Sequence, residues 1–198
     1  MSAVAAKAST SEHGLRPQAM NSPLNLSTNF FELFGLPMRF ALAGDELDRH
    51  YRDMQARVHP DRFASAGDAE RRASMQWATR VNEAYQTLKS PLKRAAYLLE
   101  LQGIDLGVEN NTAMPPEFLM AQMEWREALE EVAQAKDVDA LEKLLAQSRA
   151  EMRDYHARIE QEIDAARDYK KAATSVRELM FLEKLQDEIG EAIADIEN

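Results

Sequence analysis

The chain has 198 residues, 45% of them hydrophobic and 29% charged, which is long enough to bury one good core or two small ones. It contains no Cys, which removes disulfides, thiolate nucleophiles and cysteine-bound metal centres together and fits a reducing cytoplasm. The formal net charge of −10 divides as +1 over residues 1–28, +1 over 29–102 and −12 over 103–198; the C-terminal half therefore repels nucleic acid, and the step near residue 103 points to two modules with separate partners.

With seven Gly and seven Pro, and apolar residues recurring at three- and four-residue spacing, the chain reads as all-α. No stretch approaches the roughly 18 consecutive apolar residues of a membrane span, and the N-terminus lacks the apolar centre of a secretory signal, so no membrane contact is expected. Residues 1–28, rich in Ser, Ala, Asn and Pro without periodicity, read as a disordered extension. Its faint likeness to a transit peptide has only Lys7 and Arg16 to supply positive charge.

Ordered structure is expected from Asn29, with a short helix from Phe30 to Leu36 stopped by Gly35 and Pro37. Asp45 is placed to cap a second helix in which Leu47, Tyr51, Met54 and Val58 fall within about 60° of one another. That helix ends at His59-Pro60-Asp61, and a third runs from Asp68 to about Lys89 with Met75, Ala78, Val81, Tyr85 and Leu88 on one face. Ser90-Pro91 supplies the cap and first-turn proline of a fourth, lined by Leu92, Ala96 and Leu99 and closed by Gly103 in a left-handed conformation. Residues 29–102 form one domain in this reading, 103–115 a linker, and 116–198 a second domain. The latter holds amphipathic segments at about 116–135, 137–165 and 168–197, which short connections fold into an antiparallel three-helix bundle.

His59-Pro60-Asp61 lies in the polar loop of the first domain. A given tripeptide turns up in roughly one per cent of chains this long, and a helix stop explains it as well, since Pro60 biases His59 out of the helical region and Asp61 favours a turn. The helix before it adds a second signal: Arg49 and Arg52 lie opposite the apolar stripe and Arg57 flanks it, so a cationic face leads into the loop. In the second domain Phe118, Ala121, Trp125, Ala128, Leu129 and Val132 make the core stripe of the first helix. Leu119, Met120 and Met123 project about 100° to 200° from Phe118, on the side of Glu124, Glu127, Glu130 and Glu131. On the last helix Ser175, Leu179, Leu182, Ile189 and Ile193 form the core face and Phe181 points off it. Helical phase alone leaves a docking patch and a widened core equally open.

Four segments together resemble a J-domain: Phe30-Phe31-Glu32-Leu33-Phe34-Gly35-Leu36, His59-Pro60-Asp61-Arg62-Phe63, Val81-Asn82-Glu83-Ala84-Tyr85-Gln86-Thr87-Leu88 and Pro91-Leu92-Lys93-Arg94-Ala95-Ala96-Tyr97-Leu98-Leu99. With Phe118-Leu119-Met120 and Val176-Arg177-Glu178-Leu179-Met180-Phe181-Leu182, the resemblance extends over residues 29–198 to the HscB family, the J-proteins of bacterial iron–sulfur cluster assembly. It implies a co-chaperone, not an enzyme, that binds an IscU-type scaffold protein and delivers it to an HscA-type seventy-kilodalton chaperone. His59, Pro60 and Asp61, with Arg49, Arg52, Arg57 and Arg62, would meet the chaperone and stimulate its ATP hydrolysis, promoting cluster assembly and transfer. Leu119, Met120, Met123, Glu124, Glu127, Glu131 and Phe181 match the positions that bind the scaffold. Arg62 stands where the family often has Lys, the N-terminal extension is longer than the bacterial pattern, and the cysteine-bearing N-terminal module of some eukaryotic relatives is absent.

No acid–base pair, activated nucleophile or phosphate loop stands at workable spacing, and His13, His50, His59 and His156 are too scattered to hold a metal, so no catalytic residue, metal or cofactor is expected. The competing reading is a general J-protein or helical scaffold that brings the same chaperone class to another client; a generic J-protein has no reason to carry the Leu119/Met120/Met123 patch together with Phe181.

Overall fold

The structure is a computed structural model that describes residues 28–63, 65–107 and 114–197. Most of the N-terminal extension, and residues 108–113 of the linker, therefore lie outside the described residues. Among the described residues the regular elements are seven α-helices: α1 (Phe30–Phe34), α2 (Gly44–Val58), α3 (Asp68–Lys89), α4 (Pro91–Leu101), α5 (Pro116–Ala135), α6 (Val138–Glu160) and α7 (Tyr169–Glu197). A turn of 3₁₀ helix at Pro60–Phe63 follows α2, and a π-helical turn at Gln161–Ala165 prolongs α6. The all-α expectation holds, and none of the described helices is long and apolar enough to cross a membrane.

The boundaries follow from capping chemistry. Asn29 Oδ1 accepts the Glu32 amide at 2.9 Å to open α1, and Gly35, at φ 65°, closes it after Phe34, two residues earlier than expected. Ala43 precedes α2 with no side-chain cap, and Asp45 sits inside the first turn; the carboxylate there meets the positive end of the helix instead of bonding its first amides, which corrects the expected cap. Ser90 Oγ accepts the Lys93 amide at 3.2 Å and Pro91 takes the first position of α4, as expected. Gly103, at φ 73°, lets its own amide reach Glu100 O at 2.8 Å and the Ile104 amide reach Leu99 O at 2.9 Å.

α2 and α3 pair antiparallel. Leu47, Met54 and Val58 are buried, and the Tyr51 ring stacks on Tyr85 at 3.9 Å. Along the solvent edge of this pair Tyr51 Oη donates to Asn82 Oδ1 at 2.9 Å and Tyr85 Oη to Asp48 Oδ1 at 2.8 Å. The α3 stripe needs one correction: Met75 is 57% exposed, while Trp77, Val81, Ala84, Tyr85 and Leu88 are buried. At 100° per residue Met75 stands about 120° from Val81, too far round to share its face. α4 buries Leu92, Ala95, Leu98 and Leu99, with Ala96 at its margin. Tyr97 stacks on Phe30 and Phe31 and its hydroxyl accepts the Phe30 amide at 3.1 Å, fastening α1 to α4.

The C-terminal helices make the expected three-helix packing, α5 against α6 and α7 and α6 against α7. Lys136, at φ 53°, ends α5, and Asp137 accepts the Ala140 amide at 3.0 Å to start α6. A charge step and a linker suggest separate cores, but the buried residues form one continuous cluster from Phe30 to Ile189, because α4 packs on both α3 and α7. Asp164, in the π-helical turn, accepts the Phe40 amide at 2.7 Å and the Ala41 amide at 2.9 Å, across more than 120 positions of sequence. Phe40 is buried between the Arg94 guanidinium, 5.1 Å from its centroid, and the His156 ring at 6.4 Å.

Two outcomes check this packing. Tyr97→Phe keeps both ring stacks but leaves the Phe30 amide unpaired, which costs about 1 kcal/mol and lowers Tm by about 2–4 °C in differential scanning calorimetry. Burial, and after it the Arg94 charge, hold His156 below its ordinary pKa of 6.5. The unfolded chain therefore takes up that proton first, so the stability associated with neutral His156 is complete above about pH 6.5 and is lost as pH falls through the window below it. Between about pH 7.5 and about pH 5.5 the wild type should lose more Tm than His156→Gln, and parallel curves would refute this assignment.

Candidate functional site

Two surfaces remain once the core is packed. The first is the turn after α2. Pro60 removes an amide and restricts its predecessor, so His59 leaves the helix at φ −59°, ψ 129°, and the chain turns once through Pro60–Phe63. The turn is tied to itself: the Arg62 amide donates to His59 O at 3.1 Å and the Asp61 amide to His59 Nδ1 at 3.3 Å. The Asp61 carboxylate stands 3.5 Å from the same Nδ1, and the two side chains are 89% and 57% exposed for Asp61 and His59 respectively, so both are offered to solvent. The Arg62 guanidinium turns back to Ala56 O at 3.3 Å and braces the turn against the last turn of α2.

Arg49, Arg52 and Arg57 are exposed along α2, and none forms an ion pair or hydrogen bond among the described residues. The structure thus brings the loop and the cationic face together on one continuous surface. Sequence reasoning passed over the bracing behind it: Gln55 Nε2 bonds both Tyr51 Oη and Asn82 Oδ1, pinning the last two turns of α2 to α3. Its signal was the polar pair Tyr51 and Gln55 at i, i+4, facing the position where a partner helix must lie.

The second surface is on α5. Phe118 is buried, and Trp125, Leu129 and Val132 pack part-buried against the core. Leu119, Met120 and Met123 are 44%, 58% and 61% exposed, and Glu124, Glu127 and Glu131 are exposed beside them. Large apolar side chains gathered on one helix face and rimmed by carboxylates differ from the scattered ones found on any surface. Phe181 departs from its expected place: it is half-buried, its ring edge-on to Phe118 at 5.8 Å, because the gap between α5 and α7 admits it part-way. The Arg126 guanidinium lies 5.7 Å from the Phe181 centroid, a cation on the edge of an otherwise acidic strip. Helical phase could have placed Arg126 beside Leu119, seven positions apart, but not over a ring of another helix.

Because these three α5 side chains are outside the core, replacing Leu119, Met120 and Met123 together by Ser should leave the denaturant midpoint almost unmoved, about 0.5 kcal/mol or less per site. Phe118→Ala, one position away, should cost about 3 kcal/mol or more in the same titration.

Family models match both halves of the chain: a DnaJ domain over residues 29–97 and an HSCB C-terminal oligomerisation domain over residues 114–190. A co-chaperone protein HscB homolog of Burkholderia mallei is 56% identical over 175 residues, covering 88% of this chain and 99% of that one. Its counterpart in Paraburkholderia xenovorans is 55% identical over 174 residues, with the same coverage. Among solved structures, chaperone HscB from Vibrio cholerae matches with a TM-score of 0.75 at 41% identity, over 85% of this chain and 99% of that one. Human co-chaperone protein HscB matches with a TM-score of 0.80 at 26% identity, over 85% and 83%.

Proposed function

The chain belongs to the HscB family of J-domain co-chaperones, and on that premise we propose that it is an adaptor of iron–sulfur cluster assembly. In this reading an IscU-type scaffold protein docks on Leu119, Met120, Met123, Glu124, Glu127, Glu131 and Phe181. His59-Pro60-Asp61, approached over Arg49, Arg52, Arg57 and Arg62, engages an HscA-type seventy-kilodalton chaperone and stimulates its ATP hydrolysis. The adaptor carries out no bond chemistry of its own; ATP and its hydrolysis belong to the chaperone.

The observation that carries the reading is the solvent-facing apolar strip on α5, which neither core packing nor solubility accounts for. Methionines at its centre suit a partner surface, since an unbranched thioether adapts to the shape it meets. The carboxylates around it favour a basic partner face and disfavour acidic ones. At the other surface the three unpaired arginines act at longer range, raising the encounter rate with an acidic face. His59 and Asp61 then supply directional bonds from a turn whose backbone is already set, so little ordering is needed on binding.

Both halves can be tested with purified proteins. His59→Gln and Asp61→Asn should leave Tm unchanged, since both side chains are exposed, yet abolish stimulation of the HscA-type ATPase; retained stimulation would exclude the turn as the trigger. Arg49→Ala with Arg52→Ala should slow association, with the deficit shrinking as salt rises. Leu119→Ala, Met120→Ala and Phe181→Ala combined should weaken binding of the IscU-type scaffold about 100-fold or more by isothermal titration. Normal binding by that variant would remove the α5 surface from the reading.

A further inference from the structure

We propose that Asp164 is a positioning residue: it fixes the angle between the α2–α3 pair and the α5–α7 face, and so couples what is bound on one surface to activity at the other. The inference rests on the two-partner function proposed above. Asp164 lies where α6 widens into a π-helical turn, marked by the Ala166 amide reaching Gln161 O at 2.9 Å. Extra-residue turns of this kind re-aim the side chains that follow, and they recur at functional places. Here the turn aims one carboxylate at the chain just ahead of α2, where both oxygens are used: Oδ1 takes the Phe40 amide at 2.7 Å and Oδ2 the Ala41 amide at 2.9 Å. Gly44, the first residue of α2, follows three positions later.

Among the described residues the other contacts near this junction are mainly apolar packing, with one long bond from Arg177 Nη1 on α7 to Leu106 O at 3.5 Å and the Lys93 and Glu183 charges close to each other between α4 and α7. α4 packs on α7, and the Phe40 ring is held between Arg94 and His156. Apolar burial is non-directional and tolerates a small slide or rotation. Two charge-assisted bonds on a single carboxylate do not, since each oxygen has one place to be. Arg94, whose guanidinium also donates to Leu88 O at 2.6 Å, sets a positive charge near Asp164. The root of α2 is thereby fixed to the α6 end of the bundle, and α2 leads directly to His59. When a client on α5 and a chaperone at His59 must meet each other, a fixed angle raises their effective concentration, and a loose one dilutes it without touching either contact.

The full chain has no Cys, so cysteines introduced at the exposed positions Gln86 on α3 and Gln147 on α6 can carry a pair of spin labels. The wild type should give one narrow distance distribution, Asp164→Ala a broad one, and Asp164→Asn, which keeps one acceptor oxygen, a width between them. In parallel, Asp164→Ala should bind the IscU-type scaffold and stimulate the HscA-type ATPase in its absence to within about twofold of wild type. It should lose about fivefold or more of the change in stimulation that adding scaffold produces. A destabilised fold would lower all three readouts together; only a positioning role lowers the last alone. If Asp164→Ala melts below the assay temperature, Asp164→Asn carries the same comparison. An unchanged distance distribution, or a broadened one with scaffold-dependent stimulation intact, would overturn the inference. A wild type that fails to bind scaffold or to stimulate the ATPase would overturn the underlying function, and the label distances would still report whether Asp164 holds the angle.

Discussion

One carboxylate joins the two halves of this molecule. Asp164 accepts two backbone amides from the segment that precedes α2, and around that junction α4 lies against both α3 and α7. A short helix with apolar residues on more than one side has no stable place on the edge of a domain; Leu92, Ala95, Leu98 and Leu99 must be covered by both neighbours. The single continuous core follows from that requirement, and the J-domain and the bundle behave as one packed body.

The same packing decides which side chains are left over. On α5 the buried face is narrow, one phenylalanine and several part-buried residues, because the helix touches its neighbours along one edge. Leu119, Met120 and Met123 are therefore left in water. On α2 the chemistry is opposite: arginines that form no ion pair or hydrogen bond among the described residues, and a turn whose polar groups are exposed. A negative, apolar-centred surface and a positive, polar one thus stand on a molecule with one continuous core.

Behind the His59 turn, rigidity comes from side chains rather than from regular structure. Arg62 bonds the last turn of α2, and Gln55 and Tyr51 bond Asn82 on α3. These bonds lie near solvent and each contributes modestly, yet together they brace the turn against α2 and α3. Family membership and the J-domain motif agree with this arrangement, while the roles of individual residues rest on the experiments set out with each surface.

Helix positions were legible from the sequence alone, because capping residues and apolar spacing act within a few residues of themselves. Ser90-Pro91, Gly103 and the α3 bounds at Asp68 and Lys89 stand where local chemistry puts them. Phase put Leu119, Met120 and Met123 off the core stripe but left a widened core as open as a surface patch, and only the packed helices leave them exposed. The face pattern errs at Met75, which lies about 120° from Val81, and the capping rule errs at Asp45, which falls inside the helix. What only the tertiary structure decided depends on groups far apart in the chain: Asp164 meeting Phe40 and Ala41, Arg126 lying over Phe181, and Phe181 lodging between α5 and α7. Such contacts are set by how whole helices pack, and no pattern of neighbouring residues encodes which amide a distant carboxylate will find.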